Sequence, residues 1–196
     1  MTETVPQPLG QRLRLLRTQS GQGLREQARE IGISASSLSA LENNRGGVSL
    51  RRLQRVAEHY GLHITDLLAG DEQGPGTGDS RPSDPEVIRS WGSSVRGVER
   101  GAGVLYQLMG HGHGHQLQPY LISFQPGASY RNDAIAHSGE EFAYVVLGEV
   151  ELLLGEESYR LAQGDAIRFL PDKPHAFRNA STLGIAMIVG AASPPW

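Results

Sequence analysis

One stretch of this chain limits its possible folds more than any other. Residues 70–85 (GDEQGPGTGDSRPSDP) hold almost nothing apolar. They cannot bury enough surface to offset the entropy of ordering them, so they read as a flexible linker. The hydrophobic period also differs on its two sides. Before it, apolar residues recur at helical spacing; from about Val87 they alternate as in strands. The pattern predicts two domains, 1–70 all-α and 87–196 all-β, joined by 71–86.

Charge divides at the same place. Residues 1–70 carry nine arginines and six acids, a balance of +3, which leaves −6 for the rest of a chain whose total is −3. A basic segment on an acidic chain suggests an anionic partner for that segment. There is no cysteine, which excludes disulfides, thiolate metal sites and cysteine nucleophiles. No apolar run is long enough to span a bilayer. The first residues lack the basic-then-apolar order of a signal peptide. The expectation is a cytoplasmic protein with no membrane partner.

In the first half, helices are predicted over 9–20, 24–31, 35–43 and 50–60, with a last short helical turn over 65–69. Gly21, Gly23, Gly32 and Gly61 punctuate them, and Ser34 and Ser49 are suited to cap the third and fourth. The most specific local pattern is Ala28, Gly32, Leu38 and Leu41. Two helices that cross closely need a small residue at the crossing. The turn between them needs a residue that tolerates positive φ, and the second helix needs apolar anchors. These residues fill those roles in order, with Ile31 and Ile33 adding core beside the turn.

The segment LREQAREIGISASSLSALENNRGGVSLRRLQRVAEHYGLHITDLL resembles the Xre and phage-repressor family of helix-turn-helix proteins over roughly residues 9–70. The resemblance implies a five-helix, λ-repressor-like domain, with helix 35–43 in the major groove of double-stranded DNA. Gln22 and Gln27 depart from it, standing where the family usually has leucines. Carried over, the base-facing residues are Ala35, Ser36, Ser37 and Ser39, with Ala40 a turn later. Ser34, Asn43 and Arg45 are the phosphate candidates. Such small side chains imply modest direct readout, supplemented by DNA shape.

In the second half, strands are predicted over 103–109, 117–124, 142–154, 158–162, 166–170 and 183–189, and no helix is expected beyond residue 100. Many short strands with frequent turns suggest a sandwich or barrel. His137 and Glu141 are separated by an even offset and so share a strand face. His175 follows a tight turn on another strand. Two histidines and a carboxylate can hold a divalent metal with open positions.

His137, Glu141 and Gly148, with Gly164, Pro171, His175 and Asn179, resemble the two cupin motifs over roughly residues 100–193. Ile135 stands where the family has its first histidine. The resemblance implies a jelly-roll barrel and one divalent ion (iron, manganese, zinc or nickel) on His137, Glu141 and His175. The competing reading is that these histidines only hydrogen-bond Glu141 and shape a pocket. Tyr144, Phe177 and Asn179 are candidate effector-pocket residues. The alternating His111, His113 and His115 read as an exposed hairpin loop.

Helix-turn-helix followed by cupin resembles a known class of Xre-type regulators. It implies a transcriptional regulator with no catalytic residues, a small-molecule effector in the barrel, and a homodimer made through the barrel. Coupling is expected to run through the spacing that paired barrels impose on the two reading helices. The alternative is a mononuclear iron enzyme resembling the hydroxypropylphosphonate epoxidases, with His137, Glu141 and His175 as iron ligands.

Overall fold

The computed structural model describes residues 9–45, 49–62, 64–68, 95–100, 102–110 and 115–195. The proposed linker, and His111 and His113 of the histidine loop, lie outside these residues. The helical part comprises α1 (Leu9–Gln19), α2 (Leu24–Ile31), α3 (Ala35–Glu42), α4 (Leu50–Tyr60) and α5 (Ile64–Leu68). The first four have 8 to 11 residues; α5 is a five-residue turn and no full helix.

Each boundary has a local cause. α2 ends at Gly32, whose φ of 76° and ψ of 32° let its N–H reach the carbonyls of Ala28 and Arg29. Ser34 caps α3 and Ser49 caps α4, each accepting a backbone N–H three residues on. Ala28, Ile31, Leu38, Leu41, Leu53 and Val56 are all buried, as the spacing requires. Buried Glu42 takes a two-pronged hydrogen bond from Arg17, at 2.6 and 2.9 Å, and so fastens α3 to α1. The two glutamines that depart from the leucine pattern each place the amide nitrogen in a hydrogen bond. Gln27 is fully buried and bonds the Tyr60 hydroxyl, and Gln22 donates to Glu30 at 2.7 Å.

The second part is made of antiparallel strands: β1 (Val95–Glu99), β2 (Val104–Met109), β3 (Gln118–Phe124), β4 (Glu140–Leu147), β5 (Glu149–Leu154), β6 (Glu157–Ala162), β7 (Ala166–Phe169), β8 (His175–Asn179) and β9 (Ala186–Ser193). They form a six-stranded sheet, β1-β2-β3-β9-β4-β7, and a three-stranded sheet, β6-β5-β8. Four expectations change. β1 precedes the first predicted strand. The run 142–154 is two strands, broken at Gly148. The run 183–189 is replaced by β9, which runs on to Ser193. A 3-10 turn, Arg131–Asp133, interrupts the all-strand reading. The alternation is strict where it matters. Tyr120, Ile122 and Phe124 of β3, and Glu141, Ala143 and Val145 of β4, point to the core.

The two parts touch. Asp133, in the 3-10 turn, accepts a 2.7 Å hydrogen bond from the Leu50 N–H at the start of α4, and Ser49 Oγ donates to its other oxygen. Arg51 donates to the carbonyl of Ala134.

Candidate functional site

On the helical part, α3 and the residues that flank it present the eight side chains expected to meet DNA. Ser34 and Ser36 are exposed; Ala35, Ser37, Ser39 and Ala40 are half-buried; Asn43 and Arg45 are exposed. The serines are already engaged with one another. Ser34 Oγ accepts from the Ser37 N–H at 3.1 Å and lies 2.7 Å from Ser37 Oγ and 3.0 Å from Ser36 Oγ. Asn43 donates to the Ser39 carbonyl at 2.7 Å and accepts from Arg14 at 3.3 Å. α3 is not a wholly free rod. Ser34 and Ser37, at its N-terminal end, line one cleft together with Arg51, Arg52, Arg55 and the 3-10-turn residues Asn132 and Asp133.

In the sheet part, His137, Glu141 and His175 come together as their motifs imply, with donor atoms all within 4.8 Å of one another. β4 carries Glu141 inward. Backbone hydrogen bonds set the two histidines: the His137 N–H to the Pro171 carbonyl at 2.8 Å, and the His175 N–H to the Ile135 carbonyl at 2.9 Å. Glu141 Oε2 lies 3.3 Å from His137 Nε2 and 3.1 Å from His175 Nε2. His137 Nδ1 faces the Ser138 carbonyl at 3.0 Å, and His175 Nδ1 the Lys173 carbonyl at 3.2 Å. Since a carbonyl can only accept, each Nδ1 carries the proton that bonds it, and in a neutral ring Nε2 then offers a lone pair.

Three lone pairs therefore converge on one small volume, and no well-aligned hydrogen bond satisfies buried Glu141 Oε2. Only a cation or added protons relieve that arrangement. Ligands about 2.1 Å from an ion, at right angles, stand about 3.0 Å apart. The observed separations suit such an ion, so the donor set fits a divalent metal. The carbonyls behind each Nδ1 are the outer contacts that commonly orient metal-bound histidines.

Burial by itself would push the Glu141 carboxyl up. With no metal bound, protons taken up on the facing Nε2 atoms of His137 and His175, the charge this gives His175 and a hydrogen bond from Tyr120 outweigh it and hold the carboxyl at about 2. Tyr120 donates to Glu141 Oε1 at 2.6 Å, which leaves Oε2 to face the histidines. Burial, reinforced by the neighbouring Glu141 charge, pushes the Tyr120 phenol well above its ordinary range. The phenol therefore remains a donor. Its ring fits because residue 190, its cross-strand partner, is glycine: a Cβ there would lie 2.4 Å from the Tyr120 ring.

Tyr120 and Gly190 were not singled out in the sequence, although the period-2 pattern of β3 puts Tyr120 on the inward face. The effector-pocket candidates are placed differently from expectation. Tyr144 is 40 % exposed on the outer face of the six-stranded sheet, because it stands an odd number of residues from Glu141. Phe177 is fully buried packing. Asn179 ties a loop, donating to the Gln125 and Gly184 carbonyls and accepting from the Ser181 N–H.

Comparison with known proteins matches residues 8–69 to a helix-turn-helix domain and residues 120–189 to a cupin domain. The chain is similar to the HTH-type transcriptional regulator PuuR of Escherichia coli, 28 % identical over 187 residues, covering 94 % of each chain. A crystal structure of an HTH_3 family transcriptional regulator from Vibrio cholerae superposes with a TM-score of 0.62 at 18 % identity, covering 96 % of both chains, which is a likeness of fold. Hydroxypropylphosphonic acid epoxidase from S. wedmorenis aligns over 97 % of this chain and 100 % of its own at 23 % identity, but with a TM-score of 0.46, too loose to bear on chemistry.

Proposed function

We propose, from the premise that this chain joins a helix-turn-helix domain to a C-terminal cupin domain, that it is a DNA-binding transcriptional regulator whose cupin domain takes a small effector. The observation that carries the DNA half is the pair α2–α3, closed at Gly32 and anchored by Leu38 and Leu41 over a domain with a net charge of +3. α3 is the reading helix of a λ-repressor-like domain. Ala35, Ser36, Ser37, Ser39 and Ala40 are its groove-facing residues, and Ser34, Asn43 and Arg45 are its phosphate contacts. The domain limits are 1–70 and 87–196, with 71–86 the connection between them.

The cupin domain is a jelly roll whose His137, Glu141 and His175 would hold one divalent ion. Bound there, the ion supplies a positive charge with open positions for an anionic or oxygen-rich effector. The residues themselves do the rest. Tyr120 orients Glu141, and the carbonyls of Ser138 and Lys173 orient the imidazoles. Only three residues separate His137 from Asp133, the cupin group that bonds α4. An effector that prefers one position of this segment would shift the population of interdomain arrangements.

A single reading domain covers a half-site, so the functional unit is a homodimer. The outer face of the six-stranded sheet supports pairing of cupin domains through a second copy of the chain. Phe142, Tyr144 and Val146 on β4 and Leu105 on β2 are each about two-fifths exposed, at 43, 40, 41 and 42 %. Large apolar side chains exposed on one sheet face suit an interaction site.

The experiment that tests this function measures binding to a duplex from upstream of the protein's own gene, beside metal content and oxygen consumption. Tight, salt-sensitive binding without oxygen uptake is expected. Iron-dependent oxygen uptake without duplex binding overturns it in favour of the epoxidase-like enzyme, the reading that the His-Glu-His cluster also accommodates.

A further inference from the structure

We propose that Asp133 is a clasp holding the helix-turn-helix domain against the cupin domain in a closed arrangement that blocks DNA, and that DNA binding requires the clasp to open. This rests on the DNA-binding reading above and says how that activity is held off.

The clasp is built from both sides. On the cupin side, Arg100 is 1 % exposed, with its guanidinium 3.9 Å from the centroid of the Tyr130 ring. It holds Asp133 twice: Nε stands 3.3 Å from Oδ2, and a second nitrogen donates to the Asp133 carbonyl at 2.8 Å. The aspartate is thus fixed before it meets the other domain. On the helical side it meets the first free N–H groups of α4. The Leu50 N–H donates to Oδ2 at 2.7 Å and Ser49 Oγ donates to Oδ1. A carboxylate at a helix N-terminus is a favourable, charge-assisted partner. Arg51 adds a bond to the Ala134 carbonyl.

The consequence is steric and electrostatic. Ser34 and Ser37 mark the end of α3 that enters a major groove, and they share a cleft with Asn132 and Asp133. A groove is about 12 Å wide and is walled by phosphates. A duplex seated on that end of α3 would need the space held by the 3-10 turn, and its phosphates would meet the Asp133 carboxylate. Arg52 and Arg55 line the same cleft and remain exposed at its rim. Asn43 and Arg45, beyond the other end of α3, are exposed and leave two phosphate contacts open, so the closed form keeps weak, non-specific affinity.

The chain has no cysteine, so a thiol pair placed across the cleft reports on the clasp without interference. The variant Arg52→Cys/Asn132→Cys, treated at high dilution with a short bis-maleimide, should link intramolecularly in high yield. Adding Ser49→Asp keeps a good helix cap but sets a second carboxylate against Asp133, so the yield should fall several-fold. The linked chain should bind the upstream duplex at least tenfold more weakly than the same variant left unlinked. A yield indifferent to Ser49→Asp, or equal affinity of linked and unlinked chains, overturns the clasp. Failure of the unlinked chain to bind any duplex at low salt instead overturns the DNA reading and the blocking role with it. In that case the yield contrast still tells whether the two domains are clasped.

Discussion

On α3, Leu38 and Leu41 are buried and hold the helix, while exposed Ser36 on the same helix faces outward to the expected partner. In the cupin domain, Glu141 and His175, the candidate ligands, are themselves buried, packed with Tyr120 and Phe169. The helical domain separates packing from recognition; the cupin domain makes the same side chains serve both. A helix can divide its surface because its period of 3.6 leaves one face free. A small double-sheet domain has only its interior to enclose a ligand, so its site residues are core residues as well.

That contrast can be broken by experiment, and the sharpest blow is to the helical packing. Leu38→Ala should cost about 2–5 kcal/mol of helical-domain stability, abolishing duplex binding while metal uptake by the cupin domain persists. Thermal melts with parallel metal analysis decide it, and loss of both activities together would mean the domains do not fold independently. Next comes Glu141→Gln, which keeps the shape but removes the charge between two histidines. It should lower metal affinity by at least about 100-fold, more than loss of an outer-shell partner. The same variant sharpens the acid response. A carboxyl held at about 2 when folded, against an ordinary 4.5, adds stability that is complete above 4.5 and is lost as pH falls toward 2. Acid titration of the cupin melt should show that loss in the parent and not in Glu141→Gln.

A smaller effect is expected at Gly190→Ala, where the new methyl meets the Phe142 carbonyl and the Tyr120 ring, both at 2.4 Å, and displaces the ring. Overpacking costs about 1–3 kcal/mol, and Glu141 loses the donor that aims it, so metal retention should fall about tenfold. An unchanged metal titration would remove Tyr120 from the site. The smallest is Arg45→Ala, which should weaken binding to all duplexes alike and reduce the log–log salt slope by about 1. A loss confined to one sequence would make Arg45 a base contact.

How much was legible follows from the kind of interaction. Helix limits came out within a residue or two because the signals are local: Gly32 and Gly61 at the ends, Ser34 and Ser49 at the starts. His137 and Glu141 were legible through their even offset. The outward aim of Tyr144 was legible by the same arithmetic, since it stands three residues from Glu141 and so on the opposite face. β1 was not among the expected strands, and β8 was expected only as the strand of His175, without limits. Each is five residues long, and five residues carry little periodic signal.

The sequence by itself determined two domains of different class, the helix-turn-helix and the three ligand-type residues, because period, caps and turn chemistry act between near neighbours. The tertiary structure alone decided that Tyr120 reaches Glu141 across the space left by Gly190, and that Asp133 bridges buried Arg100 to the start of α4. Those contacts join residues 21, 33 and 83 positions apart. No local pattern encodes such a meeting, because it depends on which strands and helices come to lie side by side.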